Sequence, residues 1–301
     1  MEKADRTIIA DRTIIDIIKK EGISVLERQF GRDYSTFRSG GILSYVIEPK
    51  NQSEFISSLE ILQDKEYHLL GLGSNTLICD KGLNCVLSTK RMTGYSIDGD
   101  LLQASAGEKL GTLAYNTAKL GKSGLEFAVG IPGSVGGAVC MNAGAHRKEI
   151  KDVLQSVKVY KNRKIIEYTP DELEMSYRYC KLANAKVISC TFKLVTSDPE
   201  RCLSSIRNNL TYRRQTHPTL PSLGSVFKQI NGISPWIYVK GVGMQGAKSG
   251  KAEISEKHCN FIVNSGGATS NDYLALLEEA KRRVYQKYGL SLQPEIKYVK
   301  D

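Results

Sequence analysis

Apolar side chains recur at helical spacing in several segments of the chain. Residues 51–62 and 109–120 each place apolar positions on one helix face, and residues 271–288 repeat the pattern over a longer stretch. The S-D-P-E sequence that begins at Ser197 is typical of a helix start and predicts a helix to about residue 214. These patterns predict the main helices of the molecule.

Shorter apolar runs lie between these helices, bounded by glycine, proline and polar residues. They predict strands at 42–47, 68–70, 77–79, 85–87, 101–104, 153–159, 164–168 and 186–194, a mixture of strands and loops from 225–230 through 261–263, and a strand-like tail at 291–298. Residues 1–30 are expected to form an N-terminal helical segment, within which the hexapeptide A-D-R-T-I-I occurs twice in tandem. Helices and strands do not alternate regularly, so the predicted fold class is α+β rather than a repeated βαβ winding.

Two glycine-rich stretches interrupt these patterns. One is G-I-P-G-S-V-G-G-A-V-C-M-N-A-G-A from Gly130 to Ala145, and the other is G-L-G-S-N from Gly71 to Asn75. Such backbone can approach a ligand closely and turn several N–H groups the same way, which suits phosphates. A tight structural turn is the alternative. Two such loops favour one extended ligand with a pyrophosphate group held between them.

Charge and composition limit the function classes. The formal charge is +10 over 301 residues, but the basic residues are scattered, and the densest groups, Arg213–Arg214 and Lys281–Arg283, are too short for a nucleic-acid stripe. This balance fits a phosphorylated small-molecule partner, with no nucleic acid. No run approaches the roughly 20 apolar residues of a membrane span, so no membrane partner is expected.

The cysteine residues indicate the compartment, and the histidine residues bear on metal binding. Seven cysteines without C-x-x-C spacing are expected to be free thiols in a reducing cytoplasm, and the four histidines lack metal-site spacing, so no metal is expected. Gly241–Gly246 matches G-x-G-x-x-G, but the residues that follow do not read as a helix, which argues against a dinucleotide fold of that type.

Six ordered motifs then carry a family resemblance. They are G-L-G-S-N (71–75), G-I-P-G-S-V-G-G-A-x-x-M-N-A-G-A (130–145), S-Y-R (176–178), P-S-L-G-S-V-F-K (221–228), A-E-I-S-E-K-H-C-N-F-I-V-N (252–264) and L-Q-P-E-I (292–296). Together they resemble the UDP-N-acetylenolpyruvoylglucosamine reductase family of peptidoglycan precursor synthesis. The length and tail are similar to its shorter subtype, type II, which lacks an insertion in the substrate domain.

The resemblance implies a cofactor, a co-substrate and a domain plan. FAD is the implied cofactor and NADPH the implied co-substrate, with an FAD-binding domain of the p-cresol methylhydroxylase/vanillyl-alcohol oxidase type at 31–198. That domain has two α+β halves split near residue 90, and a C-terminal α+β substrate domain at 199–301 follows. A composition shift near residue 198 independently indicates a boundary there. The implied FAD-binding residues are Gly71, Leu72, Gly73, Ser74, Asn75, Thr76, Gly130, Ile131, Pro132, Gly133, Ser134, Gly137, Ala138, Asn142, Gly144 and Ala145.

Three residues match the catalytic positions of the family. The implied reaction adds hydride to the terminal carbon of an enolpyruvyl ether, so negative charge develops on the adjacent carbon and the carboxylate. Arg178 of S-Y-R is the implied electrostatic stabiliser, and Ser225 of G-S-V-F-K is the implied proton donor. Glu295 is the implied second acid, and facing a carboxylate it should have a raised pKa. For each, an ordinary surface or turn position is the alternative.

The motifs alone leave several candidates for the substrate contacts and two alternative functions. Tyr177, Arg213, Lys228 and Gln229 are the substrate-binding candidates. Gln229–Ile230 and the segment around Trp236 depart from the family pattern. One alternative function is another FAD oxidoreductase of the same fold that acts on an alcohol or sugar. The other is a non-catalytic nucleotide- or nucleic-acid-binding protein, suggested by the positive charge.

Overall fold

A computed structural model describes residues 12–301. Most of the tandem hexapeptide at 4–15 therefore lies outside the described residues. Residues 12–20 are helical (α1), but Ser24–Phe30 forms a strand, β1, that pairs antiparallel with the strand Ile42–Glu48, β2. The expectation of a helical segment up to residue 30 is thus wrong over β1, because these residues meet their backbone hydrogen-bonding needs in a sheet.

The first layered unit contains β1 and β2, together with β3 (His68–Leu70) and β5 (Leu83–Ser88). It is a four-stranded sheet of order β1-β2-β5-β3, in which β2, β5 and β3 run parallel, with one helix over it. Phe55 and Leu59 of that helix pack with Ile47 and Leu87 of the sheet in one buried cluster. The helix is α2 Gln52–Ile61, and the strand β4 Thr76–Ile78 lies between β3 and β5 in the sequence.

A second unit is built on a five-stranded antiparallel sheet of order β12-β11-β13-β7-β6. Its buried core joins the sheet to two helices, α3 and α4. The elements are β6 Tyr95–Asp98, β7 Leu101–Ser105, α3 Leu110–Lys119, β8 Lys122–Ser123, α4 Val135–Cys140, β9 Gly144–Ala145, β10 Lys148–Glu149, β11 Leu154–Lys161, β12 Lys164–Tyr168, β13 Lys186–Lys193 and β14 Val195–Thr196.

The C-terminal part has a core around a long helix, and this core also includes Phe37 and Leu77 from the N-terminal half. Tyr273, Leu276, Leu277, Ala280 and Val284 are buried on one face of that helix, as the apolar spacing predicts. The elements are α5 Pro199–Thr216, α6 Trp236–Gly241, β15 Lys248–Ser249, β16 Ala252–Ile254, β17 Ile262–Asn264, α7 Ser270–Tyr288 and β18 Lys297–Val299. The α+β fold class is confirmed.

Several contacts cross the expected boundary near residue 198, and that boundary stays a prediction. Cys202 and Ile206 of α5 pack with Ala118 of α3. The terminal strand β18 pairs parallel with β4, which directly follows the first glycine loop. The end of the chain is therefore anchored beside that loop.

The second glycine stretch is not a loop throughout. Val135–Cys140 forms the helix α4. Ser134 caps its N-terminus, and the Ser134 Oγ accepts a hydrogen bond from Gly137 N at 3.3 Å. A Cβ on Gly136 would lie 3.0 Å from Ala106 Cβ. The glycines here let a short helix approach the sheet closely, a use that composition alone did not indicate. Across residues 12–301, no helix has the length and apolarity needed to cross a membrane.

Candidate active site

A cavity of 620 Å³ lies between the two glycine stretches and the C-terminal part of the chain. Most of the expected FAD-binding residues line it. They are Gly71, Leu72, Gly73, Ser74, Asn75, Thr76, Ile131, Pro132, Gly133, Ser134, Gly137, Ala138, Gly144 and Ala145. Arg178, Ser225, Glu295 and Arg213 line the same cavity, so it contains all three expected catalytic residues and one substrate candidate.

The two loops touch each other at glycine positions. A Cβ on Gly71 would lie 2.4 Å from Ser134 Oγ, and one on Gly133 would lie 3.2 Å from Ser74 Oγ. Gly73 has φ +63°, and its Cβ would fall 1.9 Å from the Tyr34 carbonyl oxygen. Side chains at these positions would push the loops apart or into the cavity. The glycines therefore preserve the width of the cradle.

Unused backbone donors line this cradle. Within residues 12–301, the amides of Leu72, Gly73, Ser74 and Asn75 donate no hydrogen bond, and neither do those of Gly133 and Ser134. The first amides of α4, by contrast, are already bonded, since Val135 N donates to Glu108 O at 2.9 Å. Free amides from two facing loops suit the oxygens of a diphosphate. The residues present therefore fit the diphosphate of FAD.

Gly130 and Asn142 do not line the cavity, unlike the other expected cofactor residues. Gly130 lies against Arg213, where a Cβ would be 2.6 Å from Arg213 Cδ. Asn142 is fully buried, and its side chain bonds only to protein groups. Their glycine-loop context suggested ligand contact, whereas their environments are those of packing and hydrogen-bonding residues.

Arg178 sits at the tip of a tight turn. Ser176 and Tyr179 exchange two backbone hydrogen bonds of 3.1 and 3.0 Å across it. Arg178 itself has φ +53°, a left-handed conformation that costs on the order of 1–3 kcal/mol for a side-chain-bearing residue. Its Nε donates to Glu295 Oε1 at 2.6 Å and its Nη2 donates to the Gly144 carbonyl at 3.3 Å. The strained turn thus aims the guanidinium at the cavity and at Glu295.

Glu295 is held through its backbone beside both loops. Its amide donates to Val226 O at 2.7 Å, and its carbonyl accepts from Asn75 Nδ2 at 3.0 Å. The carboxylate is 11% exposed, and its buried Oε2 has no hydrogen-bond partner among the described residues. Burial raises the pKa of Glu295 above its usual range, against the opposing charges of Arg178 and Lys228. The group can therefore hold a proton and offer it to a ligand.

Ser225 follows Gly224, a glycine with φ +79°. The segment after it pairs with the segment before Glu295, through a bridge between Phe227 and Pro294 and a bond from Lys228 N to Gln293 O at 2.9 Å. The Ser225 hydroxyl makes no hydrogen bond within residues 12–301. It is thus free to bond a ligand in the cavity that Arg178 and Glu295 also line.

The other substrate candidates divide into two places. Arg213 lines the cavity, its guanidinium has no ion-pair or hydrogen-bond partner in the described chain, and burial lowers its pKa. Tyr177, Lys228 and Gln229 lie outside the cavity wall. Gln229 N donates to the Tyr177 hydroxyl at 3.4 Å, and the Arg178 guanidinium lies 5.1 Å from the Tyr177 ring centre. Tyr177 and Gln229 therefore lie together beside Arg178.

An aromatic cluster near Arg213 was not expected. His146, Tyr212, His217 and Phe261 line the cavity, and His217 packs against His258 with ring centres 5.3 Å apart. Burial, reinforced by neighbouring cations of which Arg213 is the strongest, lowers the pKa of His217 to about 4. These rings come from three separate segments of the sequence, and nothing in those segments indicated that they meet.

Comparisons with known proteins agree with this geometry. Residues 43–163 match the family described as FAD binding domain, and residues 215–299 match the UDP-N-acetylenolpyruvoylglucosamine reductase, C-terminal domain. A UDP-N-acetylenolpyruvoylglucosamine reductase of Caldicellulosiruptor bescii is 36% identical over 94% of this chain and 93% of its own. One from Parasynechococcus marenigrum is 37% identical, over 88% and 92% of the two chains.

A solved structure supports the same assignment. The crystal structure of UDP-N-acetylenolpyruvylglucosamine reductase from Thermus caldophilus superposes with a TM-score of 0.81 at 32% identity, covering 92% of this chain and all of the other. The expected p-cresol methylhydroxylase/vanillyl-alcohol oxidase type of FAD-binding domain, with a C-terminal α+β domain, is confirmed. The chain belongs to the UDP-N-acetylenolpyruvoylglucosamine reductase family and is an FAD-dependent oxidoreductase.

Proposed function

We propose that this enzyme uses NADPH to reduce UDP-N-acetylglucosamine enolpyruvate to UDP-N-acetylmuramate, with FAD as its resident cofactor. The observation that carries the proposal is the contact between Arg178 and Glu295 in a cavity that Ser225 also lines. The name of the family supplies the substrate class, and the residues supply the chemistry.

The cofactor is proposed to lie between the two glycine stretches. The free amides of residues 72–75, together with those of Gly133 and Ser134, would bond its diphosphate. When bound, FAD supplies the hydride that it has taken from NADPH. NADPH and the UDP-sugar are expected to use the cavity in turn, because each must reach the reactive part of the same cofactor.

Arg178 stabilises the charge that forms during the second half of this cycle. Addition of hydride to the terminal carbon of the enolpyruvyl group leaves negative charge on the adjacent carbon and on the carboxylate. A guanidinium fixed by a strained turn and two hydrogen bonds is already oriented toward that charge and needs little reorganisation. It therefore stabilises the transition state more than the ground state.

Ser225 and Glu295 complete the reaction. The Ser225 hydroxyl donates its proton to the adjacent carbon, which closes the reduction of the double bond. Glu295, whose protonated form is favoured by burial, offers a hydrogen bond from its unpartnered Oε2 to the substrate carboxylate. An ionised Glu295 would repel that carboxylate. The pair thus requires the raised pKa that burial produces.

The remaining candidates are proposed to bind the rest of the substrate. Arg213 is suited to a phosphate because its cavity-lining charge has no ion-pair or hydrogen-bond partner within residues 12–301. Lys228, Gln229 and Tyr177 are proposed to bind the substrate beside Arg178. The division near residue 198 into an FAD-binding and a substrate-binding domain, and a cytoplasmic location, belong to the same proposal.

A two-step visible spectrum tests the function directly. The purified protein should carry flavin absorption that NADPH bleaches without oxygen, and UDP-N-acetylglucosamine enolpyruvate should then restore it with formation of UDP-N-acetylmuramate. Flavin that only oxygen reoxidises would favour an alcohol or sugar oxidase instead. A colourless protein that binds DNA with a steep salt dependence would favour the non-catalytic alternative.

A further inference from the structure

Asn142 has a more specific environment than its place in a glycine-rich stretch suggests. It is fully buried just after α4, with φ +41°. Its Nδ2 donates to the Ser176 carbonyl at 2.8 Å and to Glu149 Oε2 at 3.0 Å, while its Oδ1 accepts from Lys151 N at 3.0 Å. The amide thus satisfies both of its donors and its acceptor within the protein.

The Ser176 carbonyl is also the acceptor that closes the turn of Arg178. Tyr179 N donates to this carbonyl at 3.0 Å, so Asn142 and the turn share one oxygen. The side chain of Arg178 in turn donates to the carbonyl of Gly144, two residues after Asn142. The segment from Asn142 to Gly144 therefore holds Arg178 through both its backbone turn and its guanidinium.

We propose that Asn142 is a positioning residue for Arg178, fixing the strained turn that aims the guanidinium at Glu295 and the substrate. This inference rests on the catalytic role proposed for Arg178. A left-handed arginine persists only where its surroundings hold it, and the Asn142 amide is the side-chain donor that does so here. Without it the turn relaxes and the guanidinium leaves Glu295.

The geometry separates this role from cofactor binding. The neighbours of Asn142 on both sides, Met141 and Ala143, line the cavity, whereas Asn142 does not. Its side chain points to Ser176, Glu149 and Lys151 instead. A substitution should therefore change the step that depends on Arg178 without weakening the binding of FAD.

Two variants test the proposal. Asn142→Gly keeps access to positive φ and removes every side-chain bond, while Asn142→Asp keeps the shape and the acceptor for Lys151 but loses both donors. Reoxidation of the reduced flavin by the enolpyruvyl substrate should slow by roughly 10- to 100-fold in both, the range seen when a supporting hydrogen-bond partner is lost. FAD affinity and flavin reduction by NADPH should match the wild type.

Two further readouts distinguish positioning from a general structural role. Since Arg178 lowers the pKa of Glu295, the high-pH limb of the reoxidation rate should move to higher pH in the Asn142 variants. The Asn142→Gly/Arg178→Ala double variant should be no slower than Arg178→Ala alone, because the two residues act as one unit. Additive losses would overturn the proposal.

Asn209→Ala is the matched control. Asn209 also donates from Nδ2 to a backbone carbonyl, that of Glu126 at 2.9 Å, but belongs to α5 and does not touch Arg178. It should keep wild-type reoxidation and pH profile. Weaker FAD binding in the Asn142 variants, or wild-type reoxidation rates in them, would contradict the proposal. If Asn142→Gly fails to fold in a melting experiment, Asn142→Asp decides. A wild-type enzyme whose reduced flavin is not reoxidised by the enolpyruvyl substrate would instead refute the proposed function.

Discussion

The glycine cradle, formed by the stretches at Gly71–Asn75 and Gly130–Ala145, and the proposed catalytic cluster share one cavity but are built in opposite ways. The cradle presents main chain from two loops, and its contacts depend on side chains being absent at Gly71, Gly73 and Gly133. The cluster presents the side chains of Arg178 and Glu295 from segments far apart in sequence, held by hydrogen bonds. The cradle should therefore fail when atoms are added, and the cluster should fail when atoms are removed.

The largest effect is expected from removing the cation of the cluster. Arg178→Ala should slow reoxidation of the reduced flavin by the enolpyruvyl substrate by about 10³-fold, because a preorganised donor to the developing charge is lost. Flavin reduction by NADPH should persist. Stopped-flow measurement of both half-reactions checks this.

Arg163→Ala provides the matched control for that variant. Arg163 also has a positive φ, +58°, but lies in the turn between β11 and β12 and bonds to Gln63. It carries the same backbone strain without contact with the cavity. Equal losses in the two variants would mean that strain, not charge, explains the effect.

The cradle should be sensitive to a single added methyl group. Gly73→Ala would place a Cβ against the Tyr34 carbonyl at a positive φ, which costs about 1–3 kcal/mol. The loop would relax away from its binding shape, so FAD affinity should fall by roughly 10- to 100-fold. Flavin fluorescence titration measures it.

Gly22→Ala isolates the close approach from the backbone strain. Gly22 has a similar φ of +76° but nothing within 4 Å of its Cβ position. It should lower the melting temperature while leaving FAD affinity unchanged. Loss of FAD affinity in both variants would contradict the cradle as the reason for Gly73.

A smaller effect is expected from the protonation of Glu295. Burial raises its pKa, and the protonated form is the one proposed to act. The reoxidation rate should therefore fall as pH rises through that pKa. Glu295→Gln cannot ionise, so it should react more slowly but lose this limb of the profile. A limb that survives in Glu295→Gln must belong to another group.

The smallest effect concerns stability at the aromatic end of the cavity. The pKa of His217 is about 4 in the folded protein against 6.5 without the fold, so between these values the unfolded chain binds more protons. Stability should therefore fall as pH is lowered through this window, and His217→Gln should reduce that fall in melting temperature. His68→Gln, whose ring contacts Asp301 at 3.0 Å, is the control and should keep it. An unchanged pH dependence in His217→Gln would contradict the assignment.

The sequence predicted the glycine loops of the cradle better than the contacts that hold Arg178 and Glu295 in place. Glycine composition is a local signal, and it located the loops at Gly71 and Gly133 without any tertiary information. It did not predict the helix Val135–Cys140 inside the second stretch, because that helix depends on packing Gly136 against Ala106. Strand β1 was missed for a similar reason, since its pairing with β2 is a tertiary choice.

The motifs indicated Arg178, Ser225 and Glu295 as the candidate catalytic residues but could not give their geometry. Arg178 meets Glu295 because β18 pairs with β4 and because the turn at Ser176 is tied to Asn142. The hydrogen bonds of Asn142 and the meeting of His146 with the aromatic cluster around His217 had no local signal, since each depends on partners distant in sequence. Contacts of this kind follow from the fold alone.

The proposed function is tested most directly by measuring both half-reactions in Ser225→Ala. We expect NADPH still to reduce the flavin at close to the wild-type rate, while reoxidation by UDP-N-acetylglucosamine enolpyruvate slows by roughly 10²-fold or more, because the proposed proton donor is gone. Equal slowing of both half-reactions, or unimpaired reoxidation, would contradict it.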